Sequence, residues 1–214
     1  MKYIVASALA LAIAAPAVAQ TAAPVTSGAR VEARVGWDRP VLEQTFGDQD
    51  GSLTEKEGKS GVAYGIEAGY DLVTAGPTLI GLYGGIEDSS VKDCQVVTVG
   101  DRACIKAGRN ITAGARVGFV MTRGMVYLKG GYSNGRMIAS YEDPAYPEDN
   151  FRLKGDFDGF HLGAGGEVMM SRNVYGKLEY VYTNYADERV GDGEAFGSFD
   201  LERHQIVAGV GFRF

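Results

Sequence analysis

The sequence predicts an all-β protein, an eight-stranded antiparallel up-and-down transmembrane β-barrel. Apolar and polar residues alternate with a period of two in eight segments, and the connections between these segments alternate between short and long. Glycines share one face of the segments with charged residues. A chain of 214 residues with 45% hydrophobic residues and 31 glycines suits a single ordered domain.

The first residues have the composition of a secretory signal peptide. Lys2 precedes a short apolar run that ends in Ala17, Val18 and Ala19, which is an A-x-A cleavage pattern. We therefore expect residues 1–19 to be removed on export, the alternative being a membrane anchor that stays attached. Residues 20–27 are predicted to form a short flexible lead, and residues 28–214 the barrel domain.

The predicted strands are defined by apolar residues at every second position. In the first strand Val31 and Val35 share one face and Arg34 lies on the other. In the third strand Leu79 is an exception, an apolar residue on the polar face. The eight predicted strands comprise residues 30–38, 61–72, 77–87, 109–120, 125–134, 158–169, 174–184 and 203–214.

The connections predict the orientation of the barrel. Residues 74–76, 122–124 and 171–173 are short, turn-forming stretches, and the other four connections are much longer, polar and acidic. An even number of strands with short turns on one side and long loops on the other is typical of an outer-membrane barrel, with both termini on the periplasmic side.

The alternation also fits a soluble barrel with an apolar cavity, so the inner face has to be identified by other means. An eight-stranded barrel has an interior just wide enough for side chains, and glycines would make room there for long charged residues. Charges of both signs can neutralise one another in such a lumen. The alternative interpretation is that the charged face of the strands is exposed to water. The sequence thus predicts a plugged lumen with the charge network Glu32, Arg34, Glu67, Arg116, Lys129, Glu167, Lys177, Glu179, Arg203 and Arg213.

Aromatic residues of the apolar face fall into two bands when the strands are traced up and down. Such bands are typical of the girdles that lie at the two membrane interfaces, although strand aromatics can also pack a core. The band near the long loops contains Trp37, Tyr64, Tyr132, Phe160 and Tyr182, and the band near the short turns contains Tyr70 and Phe119 with Phe212 and Phe214.

The polar connections hold the two cysteines and several carboxylates. An exported protein meets an oxidising compartment, so Cys94 and Cys104 are predicted to form a disulfide, and a metal site would need more ligands. The acidic residues lack the spacing of a calcium-binding EF-hand, and we expect no metal or cofactor. They are Glu142, Asp143, Glu148 and Asp149, together with Asp48 and Asp50. The net charge of −6 argues against nucleic-acid binding.

No catalytic constellation stands out, and the sequence predicts that the protein is not an enzyme. His161 lies among glycines on the charged face, which favours membership of the charge network over a role as a base. His204 lies on the apolar face near the long loops, with Ser198 close in sequence.

The stretches GVGFRF at 209–214, LEYVYTNY at 178–185, GYDL at 69–72 and KGGY at 129–132 resemble the OmpA-like, opacity-protein-related barrel family of Gram-negative outer membranes. In that family the terminal aromatic residue and the alternating apolar residues before it are read by the barrel-assembly machinery. The resemblance implies that Ala208, Val210, Phe212 and Phe214 form this assembly signal. Members of the family are commonly surface antigens, adhesins or small structural barrels.

Together these observations predict a structural or surface-interaction role, similar to that of an adhesin or antigen. The alternatives are a narrow channel for ions or small solutes and an enzyme that acts on outer-leaflet lipid. The expected partners are outer-membrane lipid and lipopolysaccharide, the assembly machinery, and an extracellular ligand bound through the long loops.

Overall fold

A computed structural model describes the backbone of residues 24–48, 51–97, 100–191 and 195–214. The predicted signal peptide at 1–19 and residues 20–23 lie outside these ranges. The strands of the described residues form one antiparallel sheet in which β10 returns to pair with β1, so the predicted eight-stranded closed barrel is confirmed. Within these residues no helix is long and apolar enough to cross a membrane.

Eight long strands form the barrel wall, and two short strands, β2 and β5, continue the paths of β3 and β4. The strands are β1 (Gly28–Asp48), β2 (Gly51–Gly58), β3 (Gly61–Val73), β4 (Thr78–Ser89), β5 (Lys92–Val96), β6 (Arg102–Met121), β7 (Gly124–Glu142), β8 (Phe151–Met169), β9 (Val174–Gly191) and β10 (Ala195–Arg213). A 3-10 turn at Pro147–Asp149 lies between β7 and β8.

The seam between the first and the last strand is long and regular. It runs from the pair of Arg30 and Arg213 at one end to the pair of Asp48 and Ala195 at the other. Closing a sheet in this way satisfies backbone donors and acceptors within the sheet, which is a requirement in a hydrocarbon environment.

The strands extend well beyond the segments predicted from alternation. The first predicted strand ends at residue 38, whereas β1 continues to Asp48, and the predicted loop after residue 134 begins as part of β7, which continues to Glu142. Backbone pairing continues in these extensions although the clear contrast between an apolar and a charged face does not. We call these continuations of the strands, such as residues 39–48 of β1 and 135–142 of β7, the loop-side extension. The opposite end, with the turns at 74–76, 122–124 and 171–173, is the short-turn end.

Hydrogen bonds tighten the short-turn end. The amide of Thr74 donates to the carbonyl of Thr78 at 2.9 Å, and the amide of Phe214 donates to the carbonyl of Ala29 at 2.9 Å. Residues 24–27, part of the predicted flexible lead, contact this end: Val25 is 5% exposed, and the hydroxyl of Ser27 accepts a hydrogen bond from the amide of Val73.

Side chains alternate sharply between the two faces of the wall. Arg30, Glu32 and Arg34 are buried inside the barrel, and Val31 and Val35 are exposed on its outer surface. At the short-turn end the interior is apolar and is filled by the cluster Val25, Leu79, Met125, Tyr127, Met169 and Tyr175. Leu79, the exception to the predicted alternation, therefore has an apolar environment on the inner face.

Candidate functional site

The lumen contains a network of buried ion pairs stacked along the barrel axis. Among the residues that the structure describes, the buried strand residues that form it comprise seven acids and seven bases, and formal charge is balanced among them. The acids are Glu32, Asp38, Glu67, Asp71, Glu87, Glu167 and Glu179, and the bases are Arg30, Arg34, Arg116, Lys129, Lys177, Arg203 and Arg213.

The lowest level, next to the apolar cluster, is built around Asp71 and Glu167. Arg116 donates to Asp71 through Nε at 2.9 Å and Nη2 at 2.6 Å, and through Nη1 to Glu167 at 2.5 Å. Arg213 donates to the same two carboxylates at 2.7 and 3.0 Å. Two guanidinium groups thus clamp two carboxylates from four different strands.

The middle level is centred on Glu67, which accepts hydrogen bonds from Arg30 at 2.8 Å, Arg34 at 2.9 Å and Lys129 at 2.9 Å. Lys129 also pairs with Glu179 at 2.9 Å. Further contacts complete this level. Lys177 contacts Glu32 and Glu179, and Arg30 contacts Glu32. The hydroxyl of Tyr175 donates to Glu32, and that of Tyr127 donates to Glu179.

The upper level joins Glu87 and Asp38 to Arg34 and Arg203. Arg34 donates to Glu87 at 2.6 Å, and Arg203 lies 3.2 Å from the other oxygen of Glu87. Arg203 also donates to both oxygens of Asp38, at 2.7 and 2.9 Å. Burying a charge without a partner is costly, so this dense pairing is what allows fourteen charged side chains to occupy one lumen.

All ten residues of the predicted charge network lie in this interior. The structure adds Arg30, Asp38, Asp71 and Glu87, which have the same strand parity as the predicted members. The tyrosines Tyr83, Tyr127 and Tyr175 also point inward, and their parity was the available signal.

His161 occupies a closed polar pocket of the lumen and is 1% exposed. Its Nε2 contacts the hydroxyl of Tyr83, and its Nδ1 lies 2.8 Å from the hydroxyl of Ser133. A serine hydroxyl next to a histidine can act as a nucleophile activated by a base. Ser133 is 0% exposed, however, so a substrate could not reach its hydroxyl in this structure. The arrangement is that of a structural hydrogen-bond network.

The predicted girdle residues lie on the outer face. Trp37, Tyr64, Tyr70, Phe119, Tyr132 and Phe160 are exposed, and Tyr182 is half-buried. Near the loop-side extension the hydroxyl of Tyr182 donates to Glu202 at 2.7 Å, and that of Tyr132 contacts Asp158. His204 is on the same outer surface, with its Nδ1 2.8 Å from the hydroxyl of Tyr180. Their position relative to a bilayer stays a prediction.

The predicted assembly-signal residues Ala208, Val210, Phe212 and Phe214 are also exposed on the outer face. The rings of Phe212 and Phe214 meet edge to face with their centroids 4.9 Å apart. Arg213, between them in sequence, points into the lumen. The end of the chain therefore presents an apolar ladder outward and a charge inward, and its reading by assembly machinery stays a prediction.

The predicted disulfide between Cys94 and Cys104 is present in the structure. The two cysteines are direct cross-strand partners in β5 and β6, with their Cα atoms 4.1 Å apart. The bond therefore ties the short strand β5 to the loop-side extension.

Carboxylates of the loop-side extension serve as local structural partners. Asp143 accepts hydrogen bonds from the amides of Ala145 and Tyr146 at 2.7 and 3.2 Å, which orders the turn before the 3-10 segment. Asp156 accepts two hydrogen bonds from Arg136 at 2.7 and 2.8 Å, and these hold the pKa of its carboxyl below the usual value. Within the part of the chain that the structure describes, no three metal-ligating residues cluster together. Asp50 lies outside that part.

A cavity of about 550 Å³ lies above the charge network, inside the loop-side extension. Leu42, Val91, Ile105, Met137 and Leu201 contribute to its lining, and Tyr185 and Arg203 are among the lining residues nearest the network. Sequence reasoning missed this cavity because it treated the extension as loops.

A closed antiparallel barrel with apolar residues outside and paired charges inside defines an integral outer-membrane β-barrel protein. The chain belongs to the outer membrane protein beta-barrel domain family, whose sequence profile matches residues 5–214. It is accordingly a bacterial outer-membrane protein.

Relatives of known name agree with this assignment. Over 110 residues the chain is 27% identical to the 25 kDa outer-membrane immunogenic protein of Brucella abortus, covering 51% of this chain and 48% of that protein. It is also 27% identical over 109 residues to the 22 kDa outer membrane protein of Rhizobium leguminosarum bv. viciae, with 51% and 48% coverage. The matched segment thus spans about half the length of these relatives.

Among solved structures, the attachment invasion locus protein Ail of Yersinia pestis aligns with a TM-score of 0.45 and 12% sequence identity. The alignment covers 85% of this chain and 98% of Ail.

Proposed function

We propose that this protein is a structural and surface-interacting barrel whose lumen is closed to the passage of solutes. The observation that carries the proposal is the balanced network of seven buried acids and seven buried bases. An ion that entered this lumen would have to displace paired side chains, because each of the carboxylates has a charged partner within the network.

The apolar cluster at the short-turn end supports the same conclusion. Leu79, Met125 and Tyr175 are each 0% exposed and lie between the lowest ion pairs and the mouth of the barrel. A permeating ion would therefore meet apolar side chains after leaving the charged levels, and such a constriction disfavours a hydrated ion.

The loop-side extension supports the surface-interaction part of the proposal. Its paired strands project beyond the charged lumen and form a stable platform, strengthened by the disulfide between Cys94 and Cys104. Binding residues lie disproportionately on surface loops that a rigid scaffold holds in position. The curated relative from Brucella abortus is named as immunogenic, which is consistent with an exposed, antigen-like role for this chain.

The same geometry supports the predicted partners. The outward aromatic and aliphatic residues would contact outer-membrane lipid, and the aromatic and polar belt around Tyr132 and Tyr182 would lie near the headgroups of lipopolysaccharide. The ladder ending in Phe214 would engage the assembly machinery before the barrel closes. An extracellular ligand would bind the loop-side extension.

Conductance measurements in planar bilayers test the closed lumen. The purified, folded protein is expected to show no steady ohmic conductance under conditions in which an open porin, inserted in the same chamber, conducts. A double variant, Glu67→Gly with Lys129→Gly, removes two long side chains from the middle level and is expected to conduct more than the wild type. Steady conductance from the wild type would instead support the channel alternative and defeat the proposal.

A further inference from the structure

The inner face of the barrel changes character at the level of Arg203. The charge network lies directly below this level, whereas above it the inward positions include Leu42 on β1, Leu201 on β10, Met137 on β7 and Ile105 on β6. The register places Leu42 directly opposite Leu201, so both belong to the same inner surface.

The outer face of the extension changes in the opposite sense. Glu43 and Lys56 are cross-strand partners and form an ion pair there, and Arg152 and Lys154 of β8 lie on the same outer face. Polar residues outside and apolar residues inside are the arrangement of a soluble ligand-binding barrel. Contact with lipid therefore does not account for the apolar inner residues of this region.

The cavity enclosed by these residues has the properties of a small-molecule site. Its volume of about 550 Å³ lies within the range typical of ligand pockets, and its lining combines apolar side chains with a few polar groups. The side chain of Tyr185, which is 3% exposed, packs over Gly135: a Cβ at that position would lie 2.7 Å from the ring. Gly135 thus allows the tyrosine to form part of the cavity floor.

The charges of the lining indicate the kind of ligand. Among the lining residues that the structure describes, Lys59 pairs with Asp93, Arg203 pairs with Asp38, and Arg109 and Arg136 both pair with Asp156. An anionic ligand would have to compete with these carboxylates, and the exposed Glu57 at the rim would repel it. An uncharged ligand meets no such penalty.

From this geometry we infer that the loop-side cavity binds a small uncharged hydrophobic molecule from the external medium, with the charged network as its floor. The ligand class is an aromatic or aliphatic compound without a formal charge. Binding here requires no passage through the barrel, so this inference and the closed-lumen proposal can fail independently.

The test uses the full-length processed protein in lipid nanodiscs and two fluorescent probes that share their ring systems. N-phenyl-1-naphthylamine is neutral, and 8-anilinonaphthalene-1-sulfonate carries a sulfonate. After the fluorescence measured with protein-free nanodiscs is subtracted, the neutral probe is expected to bind saturably, with one site per chain. The sulfonate is expected to bind at least about tenfold more weakly, because each cation among the described lining residues already pairs with a carboxylate.

Adjacent residues on opposite faces provide matched variants. Leu42→Trp fills the cavity and should weaken binding of the neutral probe at least about tenfold, whereas Val41→Trp, on the outer face, should leave it unchanged. Met137→Trp with the control Ile138→Trp repeats the comparison on β7 in case Leu42→Trp fails to fold. Heat-modifiable gel mobility reports folding.

Quenching locates the probe in the wild type without any substitution. Probe in the cavity should resist quenching by brominated lipids, which quench probe dissolved in the bilayer. The inference is overturned if no saturable binding remains after subtraction, if brominated lipids quench the saturable component, if the sulfonate binds as tightly as the neutral probe, or if folded Leu42→Trp or Met137→Trp binds like its control.

Discussion

Arg203 on β10 and Asp38 on β1 form a two-point ion pair across the barrel seam, with Nε to Oδ1 at 2.7 Å and Nη2 to Oδ2 at 2.9 Å. The pair lies where the charged interior ends and the apolar cavity begins. It therefore joins the first and last strands of the wall and also separates two interiors of different chemistry.

Glu67→Gln should destabilise the barrel, because the substitution leaves Arg30, Arg34 and Lys129 without their shared carboxylate. We expect a loss of about 3–5 kcal/mol in the free energy of unfolding. Denaturant titration followed by the fluorescence of Trp37, the one tryptophan of the sequence, measures it. The control Glu43→Gln removes a partly exposed pair with Lys56 and should have no measurable effect, so equal effects for the two variants would contradict the role of the network.

Ala113→Arg and Ala208→Arg place a charge on the outer face at positions exposed in the structure. Each should destabilise the barrel by about 2–4 kcal/mol if its site lies near the bilayer midplane. Unfolding in lipid vesicles is the measurement. Val41→Arg, on the outer face of the extension, should cost no more than about 1 kcal/mol. Harmless substitutions at both alanines would show that the outer face does not contact hydrocarbon.

Gly211→Ala should be destabilising because a Cβ would lie 2.2 Å from Cζ of Tyr175. Forcing the ring away from its hydrogen bond with Glu32 should cost about 1–3 kcal/mol. Gly76→Ala is the matched control, since a Cβ there meets no atom within 4 Å. The difference between their denaturation midpoints checks the prediction, and identical midpoints would mean that the ring adjusts freely.

Reduction of the disulfide should loosen β5 while the barrel remains closed. Cys94 and Cys104 connect β5 to β6, but the wall itself is held by the longer ladders of the eight main strands. Hydrogen exchange of residues 92–96 should accelerate after reduction, with unchanged exchange in β7 and β8 and unchanged heat-modifiable mobility. Loss of the folded gel band on reduction would assign the bond a global role instead.

Trypsin added to intact cells tests the orientation of the barrel. Lys56 and Arg152 are exposed in the loop-side extension, whereas Arg123 and Arg172 are exposed at the short-turn end. We expect cleavage after the first two residues in intact cells, and after the other two only when the periplasm is opened. Mass spectrometry of the fragments identifies the sites, and the reverse pattern would invert the predicted topology.

Much of the membrane-level wall could be predicted from sequence because each face meets one kind of environment. Arg34 is charged and points into the barrel, whereas its neighbour Val35 is apolar and points outward, and the same contrast recurs along each of the eight strands. Asp71 and Glu87 could have been added to the charge network by the same rule, since their parity is that of Glu67.

The extensions and the cavity could not be predicted in this way. Beyond residue 38 the outer surface no longer requires apolar residues, so Leu42 and Glu43 give no repeating pattern from which a strand could be recognised. The pairing of these residues with β2 and β10 is a tertiary property. Leu79 appeared to break the alternation because its apolar neighbours, including Val25 and Met169, come from distant parts of the chain.

The ladder between β1 and β10 has a consequence for biogenesis. The strand that carries the terminal aromatic residues is also the strand that completes the ring, since β10 pairs with β9 on one side and with β1 on the other. On this side β1 has no partner in the sheet until β10 is present. A polypeptide lacking β10 would expose two unsatisfied sheet edges, at β1 and β9, so a barrel without free edges requires β10.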